Sequence, residues 1–510
     1  MLLVVALALG GCGGADPGAR EPAAPTALPG ATGAPGAPGA PGAPGGRPTT
    51  TGSATPAPVL PVDPDARVRA GAAGWLGLKW SRAQPGTFDY VADFPAGLTF
   101  AEVEWCDVEP RPGVLDWTRL DALVSDAVTL GHAPMLKLRT GQCWGTTPPR
   151  VPLPPGRVGD EAAGKQTSTP PRDLDAYLAL VRRVVQRYAA RGVHVWAIEN
   201  ETDVTGFWAA SPAAYDRLVR RVAPVVRAAD PRARVLDSGL SSTGYGVVLA
   251  ARLLARDRDR AALAAYRLHY GRRIEGGASR WPAVERVGGP DGLAAVLRSE
   301  PARRARQTWR HALALVRDGV VDAYQLHFYE APEALAQALR AVRGALPSGA
   351  RVEAWEVGTA WPGPRWDARR QAGDLWRSTA LLLGSGVRVV VQLPVAWTPD
   401  ADAQVFRGLT RPDGRVLPAG RGWAVLARAL AGARPGTVAP VRERRGLRGV
   451  RWLAGPAGSP RPWRAVVWSE TGPSPAPRAW RLRAATGRRL PAGSDVGAAP
   501  VLVRSPGPIR

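Results

Sequence analysis

The chemistry this sequence offers begins with two glutamates. Glu201 closes the stretch VHVWAIENE (193–201), and Glu356 lies near the end of RVEAWEVG (351–358). Each follows an apolar run that reads as a strand buried on both faces, where a desolvated carboxylate is costly unless a partner or a reaction compensates. Two carboxylates brought together can divide a reaction, one protonating a leaving oxygen while the other attacks the carbon it leaves. Cleavage of a glycosidic bond needs that division. With the pair about 5 Å apart, the second carboxylate becomes a nucleophile and a covalent glycosyl-enzyme forms.

Both glutamates have rivals. Period-two alternation points Glu199 and Glu201 to the same side with Asn200 opposite, unless the strand is already bending, so Glu199 is a competing acid. In RVEAWEVG the same alternation puts Glu353 and Glu356 on opposite faces, and only Glu356 sits at the carboxyl end with a glycine two residues on. Glu104 and Glu109 read as structural carboxylates paired with arginines.

Eight short apolar runs supply candidate strands: AGWLGLKW, LTFAEVEW, APMLKLR, VHVWAIEN, ARVLDSG, VDAYQLHFY, RVEAWEVG and RVVVQLPVAW. Between most of them lie segments with helical apolar spacing, such as DLDAYLALVRRVVQRYAARG, with Ser211-Pro212 as a start signal and Gly192 and Gly386 as stops. Strands alternating with helices predict an α/β fold, a closed (β/α)8 TIM barrel over 67–435 with the catalytic groups at the strands' carboxyl ends. A doubly wound open sheet is the alternative, but the glycine-rich turn after its first strand is missing. The first helix is nearly absent, and residues 256–320 form an Arg-rich helical insertion. After 435, alternating runs separated by Gly, Pro and Ser predict a small C-terminal β-sandwich over 436–510.

Four motifs in this order resemble the clan A glycoside hydrolases, family five and family thirty-nine types. They are WCDVEPRPGVLDWTRLD (105–121), Asn200-Glu201, His327-x-Tyr329 and Glu356 followed by Gly358. The resemblance implies Glu201 as acid/base and Glu356 as nucleophile, with Asn200 on the sugar 2-hydroxyl, Tyr329 holding Glu356, and His327 lining the subsite. It implies Trp397 as a flat platform for a sugar ring. This chain departs from the pattern at Thr202, where most members carry proline. Of the 19 tryptophans, those at strand ends (Trp80, Trp105, Trp144, Trp361, Trp397) are candidates for the cleft. Lys79 and Arg139 are candidates for sugar hydroxyls or a substrate carboxylate, or for structural pairing.

The net charge of +24 comes from 67 basic residues of which only Lys79, Lys137 and Lys165 are lysines. The arginines are spread along helices rather than run together with aromatics, which argues against a specific nucleic-acid partner. MLLVVALALGGC (1–12) resembles a bacterial lipobox with Cys12 as the lipidated residue, and residues 13–66, almost all Ala, Pro, Gly, Thr and Ser, predict a disordered tether. Export would favour a Cys106–Cys143 disulfide. With no CxxC pair or HExxH, neither a metal nor another cofactor is expected. The sequence thus predicts a retaining glycoside hydrolase of the cell envelope, monomeric, membrane-attached only through lipid, and acting on a carbohydrate. The alternative is a catalytically silent carbohydrate-binding lipoprotein on the same barrel.

Overall fold

Eight parallel strands close on themselves: β1 (Leu76–Leu78), β2 (Leu98–Glu104), β3 (Ala133–Arg139), β4 (Val195–Ile198), β5 (Arg234–Leu236), β6 (Ala323–Phe328), β7 (Arg351–Val357) and β8 (Val390–Gln392), with β8 paired back to β1. The structure is a computed structural model. It describes residues 62–63, 66–67, 75–80, 87–95, 97–148, 167–276, 284–363, 365–396, 406–442, 446–455 and 462–509. The lipobox Cys12, nearly all of the 13–66 tract and Trp397 lie outside the described residues.

Alternation sorts the side chains as a barrel requires. Leu98, Phe100, Met135, Ala197, Leu236, Ala323, Trp355, Val389 and Val391 fill the lumen as one apolar cluster. Their neighbours, such as Trp196, Ile198, Leu136 and Leu138, face the surrounding helices. Those helices are α1 (Phe88–Ala92), α2 (Trp105–Val108), α3 (Thr118–Thr129), α4 (Leu174–Ala189), α5 (Pro212–Ala229), α6 (Ser242–Leu254), α7 (Asp259–Glu275), α8 (Pro290–Arg298), α9 (Glu300–Arg317), α10 (Pro332–Arg343), α11 (Ala368–Gly384) and α12 (Pro418–Leu430). Ser211 caps α5 by accepting from the Ala214 amide, with Pro212 in the first turn. Gly192 and Gly386, each at φ 90°, turn the chain out of α4 and α11 in a conformation that strains any L-residue with a side chain. The weak first helix is a five-residue turn, α1. The insertion between β5 and β6 comprises α7 and α8 and runs into α9, which packs beside α5 and α6.

The C-terminal region is built on a five-stranded antiparallel sheet. It consists of β9 (Ala439–Arg442), β10 (Leu447–Leu453), β11 (Trp463–Ser469), β13 (Arg481–Ala484) and β15 (Val501–Ser505), in the order β13-β15-β11-β10-β9. One face, with Val450, Trp452, Val466 and Trp468, joins the apolar cluster of α11 and α12 through Trp376 and Trp423. The other face, with Val467 and Val503, is covered by segments that include a two-stranded ribbon of β12 (Ser474–Pro475) and β14 (Asp495–Val496). The expected sandwich therefore has one full layer and one vestigial one, because the barrel's own helices supply most of the burial that a second sheet would otherwise provide.

Candidate active site

Both catalytic candidates are aimed into the barrel mouth by local breaks in strand geometry. Strand β4 ends at Ile198, and the next residues turn sharply: Glu199 (φ 63°) and Glu201 (φ 38°) are both left-handed. Such backbone costs roughly 1–3 kcal/mol per residue and persists only where surrounding contacts fix it. The bend undoes the alternation expected from sequence. Glu199 faces β3, whereas Asn200 and Glu201 both turn toward the centre. On β7 the register against β6 shifts by one residue, Leu326 opposing Ala354 and His327 opposing Glu356. Trp355 packs in the lumen with Phe100, Val357 packs outward, and Glu356 also turns inward to meet Lys137. Sequence reasoning put Glu353 and Glu356 on opposite faces; the bulge overturns this and points both inward at different depths, since bulges re-aim the residue they displace.

One carboxylate oxygen of Glu201 and one of Glu356 lie within 4.8 Å of each other and of a His327 ring nitrogen. Lys137 Nζ donates to Glu356 Oε1 at 2.6 Å and to Asn200 Oδ1 at 2.5 Å, and Tyr329 donates its hydroxyl to Glu356 Oε2 at 2.8 Å. Burial raises the pKa of Glu356, yet the charges of His327, Lys137 and Lys79, with the Lys137 hydrogen bond, outweigh it and bring the group down to about 2. Burial and the facing Glu356 carboxylate hold the Tyr329 phenol well above its ordinary value, so it stays a donor.

A donor–acceptor chain fixes the hydrogen on the far nitrogen of His327. Gln325 Nε2 lies 2.5 Å from the Asp237 carbonyl, which only accepts, so the amide nitrogen must face it. Gln325 Oε1 then faces His327 Nε2 at 2.7 Å, which must carry a hydrogen. His327 Nδ1 meets Glu201 Oε1 at 2.9 Å. A hydrogen bond at that distance needs one further proton, shared between His327 Nδ1 and Glu201 Oε1. The same three groups could ligate a metal ion, but the Lys137 ammonium already stands as the cation beside Glu356.

A second charge cluster lies beside the first. Arg139 bonds Glu102 at 2.9 Å and Glu104 at 2.8 Å and faces Glu199 at 3.8 Å, while Lys79 pairs with Glu102 at 3.1 Å. Glu199 also accepts from the Thr140 amide and hydroxyl and has no exposed surface. As a rival acid it is eliminated, because no substrate oxygen can reach it. Lys79 and Arg139 are spent on this cluster rather than turned to a ligand. Glu353 is bound by Arg234 at 2.8 Å and by the Trp355 indole.

The tryptophan expectations need correction. Trp105 is fully buried, bonded to Glu109 and packed on Trp144 and Tyr177, so it offers no face to a sugar. Trp361 is buried under the Arg272 and Arg370 guanidinium groups at 4.2 and 5.2 Å. Trp80 packs edge-on to His132, and the half-buried Trp144 bonds the Glu109 carbonyl. Cys106 and Cys143 are disulfide-bonded with Cα atoms 5.4 Å apart, joining the segments that follow β2 and β3. Sequence reasoning missed Lys137 and Gln325 as site residues. The signal was present: alternation through APMLKLR puts Lys137 inside the barrel, where a buried ammonium must meet carboxylates. Helix α7 lies in the expected 256–320 insertion, but its reach to the site was not foreseen: its Arg273 pairs with Glu330 at 2.6 Å next to Tyr329.

No protein-family model and no curated protein matches the sequence. Among solved structures, the chain is similar to a family 39 glycoside hydrolase from Bacteroides cellulosilyticus WH2, with a TM-score of 0.54 and 14% identity over 88% of this chain and 83% of that one. It is similar also to a family 39 β-xylosidase from Caulobacter crescentus, with a TM-score of 0.51 and 15% identity over 86% and 97%. At these identities the likeness establishes the barrel fold.

Proposed function

We propose that the protein is a retaining glycoside hydrolase in which Glu356 is the nucleophile and Glu201 the acid/base. The observation that carries this reading is the approach of their carboxylate oxygens to within 4.8 Å from the ends of β4 and β7. That approach is in keeping with the separation of roughly 5–5.5 Å between carboxyl groups of retaining enzymes rather than the roughly 6.5–9.5 Å of inverting ones. Glu201 passes the proton it shares with His327 to the leaving oxygen while ionised Glu356 attacks the anomeric carbon. A covalent ester forms and the leaving group departs protonated. Glu201 then removes a proton from water, which attacks the same carbon and frees Glu356. Asn200, its oxygen held by Lys137, keeps its amide hydrogens for the sugar 2-hydroxyl. Trp397 is the proposed platform for the ring.

Screening a panel of aryl glycosides and polysaccharides tests the reading. The expected result is turnover of at least one, with the first-formed anomer by proton NMR matching the substrate. No turnover across the panel would favour the silent binding protein. A cell-envelope location through lipid on Cys12 is proposed from the lipobox; loss of detergent-phase partitioning in Cys12→Ser would support it, and unchanged partitioning would oppose it.

A further inference from the structure

The C-terminal sheet gathers arginine as the barrel does not. Residues 436–510 hold fourteen arginines against three acidic residues, so nearly half of the net charge of +24 sits in the last 75 positions. The fold then concentrates it. Arg464 on β11 lies directly opposite Arg504 on β15, which lies directly opposite Arg481 on β13. Three like charges abreast on adjacent strands, roughly 4.8 Å apart, destabilise a sheet. They line one side of a groove of about 850 Å³, together with Arg478, Arg483 and Arg489, and Arg428 of α12 closes the other side; no acidic residue lines it. A neighbouring recess adds Arg369, Arg421 and Arg488. Among the described residues, none of the groove arginines forms an ion pair, although most buried carboxylates of the barrel do. Arg464 and Arg483 bond carbonyls, of Ala429 and Gly487, and are accounted for structurally. Arg481 and Arg504 are exposed.

We infer that this groove binds a polyanion, and that its occupant is a carboxylate-bearing polysaccharide. Guanidinium forks match carboxylates bidentately, and a row of them suits a chain with a charge on each repeat. Single-stranded nucleic acid is disfavoured because such grooves stack bases on open aromatic faces, and the one aromatic here, Trp480, is 5% exposed. A membrane surface is disfavoured because the arginines line a recess between helix and sheet. The choice of a glycan among polyanions rests on the hydrolase reading. The site would hold an acidic polymer on the C-terminal sheet while the barrel cleaves it.

The test measures binding of the Glu356→Gln protein to polygalacturonate at 150 mM salt, with and without Arg481→Ser/Arg504→Ser. The expected result is at least tenfold weaker binding in the arginine variant, a melting temperature no lower than the parent's, and unchanged turnover of a small aryl glycoside when the two changes are made in the active enzyme. Equal binding with and without the arginines would overturn the proposal. So would tighter arginine-dependent binding of an oligothymidylate or of phosphatidylglycerol vesicles. Failure of the aryl glycosides to turn over would sink the hydrolase reading and leave the binding result standing.

Discussion

Two clusters of buried charge share the mouth of one barrel; arginine and lysine serve one, while the other sets a lysine beside an imidazole and a phenol. Around Arg139, the carboxylates of Glu102, Glu104 and Glu199 converge on a group that stays charged at any accessible pH. Around Glu356, the partners are an ammonium, an imidazole and a phenol, which supply it with charge and hydrogen bonds. The first arrangement neutralises charge and holds β2, β3 and β4 together. The second keeps one carboxylate ionised and another supplied with a proton. The lesson is that nearness to the mouth does not separate structural from chemical acids; the proton-carrying imidazole and phenol beside one pair and not the other do.

That contrast can be broken at either end. Glu356→Gln should lower kcat by roughly 1,000-fold or more and also lower the melting temperature, because buried Lys137 loses its carboxylate partner, whereas Glu199→Gln should leave kcat of the folded protein nearly unchanged. Steady-state kinetics beside thermal melts would separate them, and equal losses would erase the distinction. Arg139→Met, which leaves Glu104 and Glu199 without their cation and Glu102 with Lys79 alone, should cost about 3–5 kcal/mol in denaturant unfolding. Removing the adjacent disulfide with Cys106→Ser/Cys143→Ser should cost about 2–4 kcal/mol, again without a change in kcat.

The smallest effects are in pH dependence. Glu356, held down to about 2, lends stability that is present above the ordinary carboxylate pKa and is lost as pH falls toward 2. Glu104, pushed up to about 7 by burial against the pull of Arg139, does the reverse: stability falls as pH rises from the ordinary carboxylate range to 7. Lys137→Met should move the acid limb of kcat/KM upward, because the nucleophile loses its nearest cation. A profile unmoved by that change would show that Lys137 does not tune Glu356.

The barrel was legible in the sequence because period-two lumen residues and helical spacing repeat over the chain and reinforce one another. Glu201, Glu356, Asn200, His327 and Tyr329 were legible as strand-end groups. What alternation could not supply were its own exceptions. The left-handed turn at Glu199 and Glu201 and the register shift before Glu356 depend on neighbouring strands, and a single strand carries no record of them. Trp105 was misjudged for a related reason: its position at a strand end is visible in sequence, but the aromatic cage of Trp144 and Tyr177 that buries it comes from other segments. Lys137 and Gln325 lie inside strands rather than at their ends, so the strand-end position that marks Glu201 and Glu356 does not mark them.

The central claim is that Glu356 forms the bond to the sugar. Incubation with 2-deoxy-2-fluoro aryl glycosides, followed by peptide mass spectrometry, tests it directly: the account expects a stoichiometric sugar ester on Glu356 and none in the Glu356→Gln protein. A label on Glu199, Glu201 or Glu353 instead, or steady turnover of the parent glycoside while no residue is ever labelled, would contradict it.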